Sequence, residues 1–300
     1  MPQTTKERRA YWVSELSKLG GSFGVDSTTM MAELKNEIER DGFDALLDHL
    51  RTCGAVPECY GHDSSEEKLY SKYTDAVVSE ALNVIGLTSI VIKARSDTAD
   101  VQARCETYSL VADAKAFRLS RTAKNQKDFK VQAMRGWRGN LDYAMVVCPI
   151  YQLPGRTSQI YRQATSDSVC IVSYTHLGAL VAFSRHGGNA AATSALHEVL
   201  RCVSTLNPNQ NALDYWTGIN RALVSAMGKN SSLWDNEKRL SLESLALVKD
   251  EALRFLQSER NRILGLGHQQ ALDELLRASK LDSRMAQIQR VEYGNLLGAH

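Results

Sequence analysis

Asp113 and Lys115 stand one residue apart at the end of the apolar run Leu110-Val111-Ala112. On a strand, residues i and i+2 point to the same side, so this carboxylate and this ammonium face one site together. A carboxylate there can hold a divalent cation, and an ammonium beside it can orient a water or stabilise a developing oxyanion. Downstream, Lys115, Arg118, Arg121, Lys124, Lys127 and Lys130 recur at every third residue, and between Ala114 and Asn140 only Asp128 opposes them. A solvated helix face usually mixes signs. A run of one sign is what a phosphate backbone binds. Ser120, Asn125 and Gln126 lie among the cations, and Asn, Gln, Arg and Lys are side chains that pair with base edges in the major groove. The combination points to metal-assisted cleavage of DNA phosphodiester bonds.

Hydrolysis of that kind needs at least one more acid on the same cation. Asp100 heads the strand before Asp113, and an antiparallel hairpin turning at Glu106 and Thr107 brings Asp100 beside Asp113 and Lys115. Glu67 is an accessory candidate ligand, although its place in Ser64-Ser65-Glu66-Glu67 also fits a helix capping box. Asp-x-Lys occurs a second time, at Asp128-Phe129-Lys130, where a polar and helical stretch begins instead of a strand ending.

Elements to position these groups follow from the hydrophobic pattern. Residues 5 to about 55 read as helices, with Trp12, Leu16 and Leu19 at helical spacing. A loop over 57–63 leads to a helix running to about Ile85, with Leu69, Tyr73, Val77 and Leu82 inward. Between 88 and 175, Ile90 to Ile92, Val101 to Cys105, Tyr108 to Ala112, Tyr143 to Pro149 and Val169 to Tyr174 are β-rich. Asp128 to Trp137 and Ser158 to Ala164 between them look helical, which predicts an α/β core with a mixed sheet. From His176 on the chain is mostly helical, with polar breaks at 185–189 and 207–211 and amphipathic runs at 240–256 and 269–288. The expected organisation is an N-terminal helical region over 1–63, a catalytic and DNA-reading core over 64–180, and a helical region over 181–300 serving the dimer or the DNA clamp.

With 36 Lys and Arg against 34 Asp and Glu, the net charge of +2 carries no nucleic-acid signal, so only local clustering can. No apolar stretch is long enough to span a bilayer, and the N-terminus lacks the apolar core of a signal peptide. Six scattered cysteines, three of them in apolar runs, suggest buried thiols in a reducing compartment, so a cytoplasmic location is expected. His49, Cys53, Cys59 and His62 lack the C-x2-C pair of common zinc knuckles. Gly265-Leu266-Gly267 is not followed by a strand–helix unit, and no Walker motif is present. His176 and His186 read as structural or surface residues.

Leu110 to Val131, LVADAKAFRLSRTAKNQKDFKV, resembles almost residue for residue the active-site region of the HindIII family of type II restriction endonucleases. Weaker similarity extends to Ser65 to Lys72, Ala99 to Val101, Tyr143-Ala144 and Ser158 to Ile160. The resemblance implies a PD-(D/E)xK fold, a Mg2+-dependent homodimer, and the palindrome AAGCTT cut to leave 5′ overhangs. It maps Asp100 as the leading acid, Asp113 as the central acid and Lys115 as the lysine, with Ala99 where the motif has proline, and it brings Asp128 toward the active site. In this reading Asp100 and Asp113 hold the metal. Lys124, Asn125 and Lys127 contact bases or phosphates, and Arg118 and Arg121 clamp phosphates. A methyltransferase protecting host DNA is expected as a functional partner. The alternatives are a structure-specific repair or junction nuclease and a non-catalytic DNA-binding regulator.

Overall fold

The computed structural model describes residues 3–19, 21–92, 98–121, 126–154, 159–207 and 211–289. Three helices come first: α1 (Thr5–Lys18), α2 (Phe23–Asp41) and α3 (Phe43–Thr52). Thr4 caps α1, its hydroxyl accepting from Glu7 N at 3.2 Å while the Glu7 carboxylate accepts from Thr4 N, a reciprocal capping box. After the short strand β1 (Ala55–Val56), Ser64 caps α4 (Ser65–Ile85), as the sequence predicts. Only half of that box forms, because the Glu67 carboxylate accepts from Asp63 N at 2.7 Å instead of from Ser64. Gly86 closes α4 at φ +114°, where a Cβ would also meet Thr193 Oγ1 at 2.6 Å.

The strands then follow: β2 (Thr88–Val91), β3 (Val101–Arg104), β4 (Ser109–Ala114) and β5 (Phe117–Arg118). A 3-10 turn (Gln126–Phe129) leads to α5 (Val131–Arg138), β6 (Tyr143–Cys148), α6 (Gln159–Asp167) and β7 (Val169–Ser173). The main sheet has the order β2-β3-β4-β6-β7, antiparallel through β4 and parallel from β4 to β7. β4, β6 and β7 are buried at nearly every position, so both of their faces are covered. The helix α4 packs on β2, β3 and β4, while α5 and α6 pack on β4, β6 and β7. This is the mixed sheet expected, with β4 running two residues further than its apolar pattern suggests. β1 and β5 pair in parallel as a separate two-stranded ribbon, Ala55 opposite Phe117 and Val56 opposite Arg118.

Helices dominate the remainder: α7 (Tyr174–Gly187), α8 (Asn189–Cys202), α9 (Ala212–Met227), α10 (Ser232–Leu264), α11 (His268–Ala278) and α12 (Leu281–Gln289). The chain divides into two compact units, 1–252 and 253–300. In the first, the buried Arg9 guanidinium donates to Thr52 O at 3.0 Å, Ala55 O at 2.9 Å and Tyr70 Oη at 2.7 Å and pairs with Glu251, tying α1, α3, β1, α4 and α10 together. Glu37 is a second buried hub, accepting from Arg8 Nε at 2.8 Å and Trp12 Nε1 at 2.5 Å and lying 3.2 Å from His49 Nε2. In the second unit, α11 and α12 have no buried residue. Among the described residues no helix is long and apolar enough to cross a membrane.

Candidate active site

The β3–β4 hairpin pairs Val101 with Ala112, so Asp100 arrives beside Asp113 at the end of the ladder. Asp113 lies inside β4 and is wholly buried. Neither of its oxygens accepts a hydrogen bond of normal geometry; they meet the Lys115 ammonium in an ion pair and the Asp100 carboxyl. Lys115 is fixed through its backbone, its N–H donating to Val147 O on β6 at 2.8 Å and its carbonyl accepting from Tyr174 Oη at 2.9 Å.

The third wall of the site is α4. Lys72 Nζ lies 2.9 Å from Asp75 Oδ2 and 3.2 Å from Asp100 Oδ1. Asp75, Asp100 and Asp113 therefore form one cluster of carboxylates, interleaved with two ammoniums. Burial pushes the Asp113 carboxyl up to about 7, with the Lys115 ammonium opposing and Asp100 adding to the rise. Burial also acts to raise Asp100, but the adjacent Asp113 carboxyl and the ammoniums of Lys72 and Lys115 outweigh it and hold that carboxyl below its ordinary value. Of these two neighbouring carboxyls, one is thus raised and the other lowered. Burial, with the negative charge of Asp100, raises Asp75 far above the usual carboxylate range. Such a cluster is unfavourable with three bare charges, and a divalent cation among the oxygens would relieve it. Its donors are all carboxylate oxygens, which suits a hard cation such as Mg2+ better than zinc.

Glu67 takes a different place from the one expected: it holds Arg118 at 2.9 Å, lies 3.5 Å from His62 Nδ1 and sits at the head of α4. His62, Asp63 and Glu67 could approach one cation, but two of the three are exposed. The candidate zinc cluster does not assemble. His49 uses both ring nitrogens on Tyr73 and Glu37, Cys53 is buried and His62 is exposed. His176 is structural as expected, forming a capping box with Ser173 and bonding Asn220 at 2.9 Å, and His186 is on the surface.

The described residues of the basic segment do not share one face. Arg118 turns inward from β5 and donates to the carbonyls of Pro57, Glu58, Tyr60 and Gly61 as well as to Glu67. Five acceptors within the chain engage this guanidinium, which thereby braces the 57–61 loop. Ser120 bonds Glu58 through both its N–H and its hydroxyl, at 2.9 and 2.8 Å. Arg121 pairs with Asp128, and its guanidinium stands 4.6 Å from the centre of the Phe117 ring. Lys127 is exposed on the 3-10 turn that Gln126 opens. Lys124 and Asn125 lie outside the described residues, as does the side chain of Gln126.

Residues 9–292 match the family model described as HindIII restriction endonuclease, which is nearly the whole chain. The chain belongs to that family. A curated relative, the type II restriction enzyme HindIII of Haemophilus influenzae (strain ATCC 51907 / DSM 11121 / KW20 / Rd), is 43% identical over 138 residues, 45% of this chain and 46% of the relative. The aligned stretch thus spans under half the length of the curated relative it matches.

For this HindIII-family chain, the sequence pattern missed Asp75 and Lys72. The available signal was chemical: Asp75 is the one ionisable carboxylate in Tyr73-Thr74-Asp75-Ala76-Val77-Val78-Ser79, a stretch buried throughout. An isolated acid inside an apolar helical run is rarely there without a partner.

Proposed function

We propose that this chain is a type II restriction endonuclease hydrolysing double-stranded DNA at a short palindrome with Mg2+. The observation that carries the reading is the buried Asp113, with both oxygens short of hydrogen bonds and with Asp100, Asp75 and Lys115 around it. The order α4-β2-β3-β4-α5-β6 supports assigning the core to the PD-(D/E)xK fold, in which strands β3 and β4 bring the acids and the lysine together.

In this mechanism Asp100 and Asp113 would hold the cation, with Asp75 as a third carboxylate of the cluster. When bound, Mg2+ supplies positive charge to the scissile phosphate and lowers the cost of deprotonating water. Lys115, fixed by its backbone to β6 and Tyr174, orients the attacking water and stabilises the hydroxide as it forms. Attack in line with the 3′ oxygen leaves a 5′ phosphate and a 3′ hydroxyl. Arg121, Lys124, Asn125, Gln126 and Lys127 form the DNA-facing segment, while Arg118 and Ser120 shape it from inside. Asp128 sets the position of Arg121. A palindrome is matched by a two-fold dimer, each subunit cutting one strand. Family membership favours AAGCTT with 5′ overhangs, a cytoplasmic setting, and a methyltransferase protecting the same site without forming a stable complex.

The test is a digest of a sequenced phage genome by the purified protein, with Mg2+ and with EDTA, followed by sequencing of the fragment ends. Discrete, Mg2+-dependent fragments ending at AAGCTT are expected. Discrete fragments ending at another palindrome would keep the activity and overturn the assigned site. No cleavage of linear duplex, with cutting of branched junctions instead, would replace the reading with a structure-specific nuclease.

A further inference from the structure

Lys72 is the second ammonium of the acid cluster, and it enters from a different element than Lys115. It stands one turn before Asp75 on α4 and reaches both Asp75 Oδ2 at 2.9 Å and Asp100 Oδ1 at 3.2 Å, bridging carboxylates from a helix and from the head of β3. An ammonium between two carboxylates neutralises part of the negative charge that a divalent cation held by the same cluster would neutralise. The two occupants compete, because each is held by the charge the other would neutralise. Their mobility differs as well: the Lys72 side chain is 24% exposed and hangs on a flexible four-carbon stem, whereas that of Asp75 is 3% exposed and held in place. The lysine can withdraw toward solvent and the acid cannot.

We propose that Lys72 is a resident counter-ion of the cation site, holding Asp75 and Asp100 together in the metal-free protein and withdrawing when a divalent cation is bound. It is a positioning residue that weakens cation binding to the free protein. This rests on the proposed metal-dependent activity of the same cluster.

The experiment is calorimetric titration of the full chain with Ca2+ in the absence of DNA, paired with thermal melting of each variant with and without Ca2+. Lys72→Met is expected to bind Ca2+ about tenfold more tightly than the wild type, from loss of one competing charge at contact distance. It should melt lower without Ca2+ and regain more on its addition. Lys72→Arg, which keeps the charge, is expected to stay near the wild-type affinity. A Lys72 that merely supports the fold gives the reverse order, with Lys72→Met binding Ca2+ equally or more weakly, and that result overturns the proposal. Tightening in Lys72→Arg as large as in Lys72→Met also overturns it, since charge would not be the cause. If Lys72→Met lacks a cooperative melting transition, Lys72→Gln takes its place with the same expected gain. If neither wild type nor variant binds Ca2+, even with a DNA duplex present, the metal-dependent reading fails and this inference fails with it. Binding by the wild type without tightening in the variant removes the Lys72 inference alone.

Discussion

A carboxylate with no exposure and no hydrogen bond among the described residues is costly to keep, and Asp113 persists because the Lys115 ammonium beside it offsets its charge. Replacing it by Asn keeps the shape and removes the charge. Asp113→Asn is expected to lower cleavage by ~1000-fold or more, while DNA binding in Ca2+, followed by gel shift, and the melting temperature are retained. Loss of binding with an unchanged melting temperature would contradict its place as a cation ligand. Asp100, Asp113 and Lys115 were legible in the sequence because strand alternation and a short hairpin are local rules. Asp75 and Lys72 were not, since α4 is buried on most of its surface and its helical period does not say which side meets the sheet end.

Among the elements, β5 and the 57–61 loop place the described cations of the basic run in different surroundings. Cations at every third residue suggest one surface, yet the segment is cut into a two-residue strand and a 3-10 turn, and its members point to different surroundings. Arg118 is part of the interior bracing of β1, β5 and the head of α4. Arg118→Met is therefore expected to reduce stability in urea by about 1 kcal/mol, the low end of the range for unsatisfied acceptors because these are only part-buried, and to leave the salt dependence of DNA binding nearly unchanged. Unchanged stability with a shallower salt slope would return the guanidinium to the phosphate backbone. The strands themselves were legible to within a few residues, as were α4 and its Ser64 cap. The β1–β5 pairing was not, because two residues carry no periodicity and the contact joins positions about 60 residues apart.

The whole molecule has almost balanced charge, so its response to acid depends on particular buried groups more than on net repulsion. His176 is one of them, enclosed by Ser173, Asn220, Trp216 and Trp234. Burial lowers its pKa to about 4 from an ordinary 6.5, despite a hydrogen bond to Asn220 that acts the other way. Between those values the unfolded chain binds the proton and the folded chain does not, so global stability falls as pH drops through 6.5 and levels off below 4. The part of the fall owed to this group is at most about 3 kcal/mol. His176→Gln should flatten the melting-temperature profile across that window, and an unchanged slope would assign it to other groups. Only Lys115 and Ala116 separate β4, with its buried aspartate, from β5 and the polar segment beyond it. In the proposed nuclease, the cation-holding aspartate and the start of the DNA-facing segment share one short piece of backbone. Retargeting by grafting a foreign loop would shift the lysine along with the graft, so changed specificity should be sought by side-chain replacement at fixed length, and natural drift in the target should spare the spacing from 113 to 118.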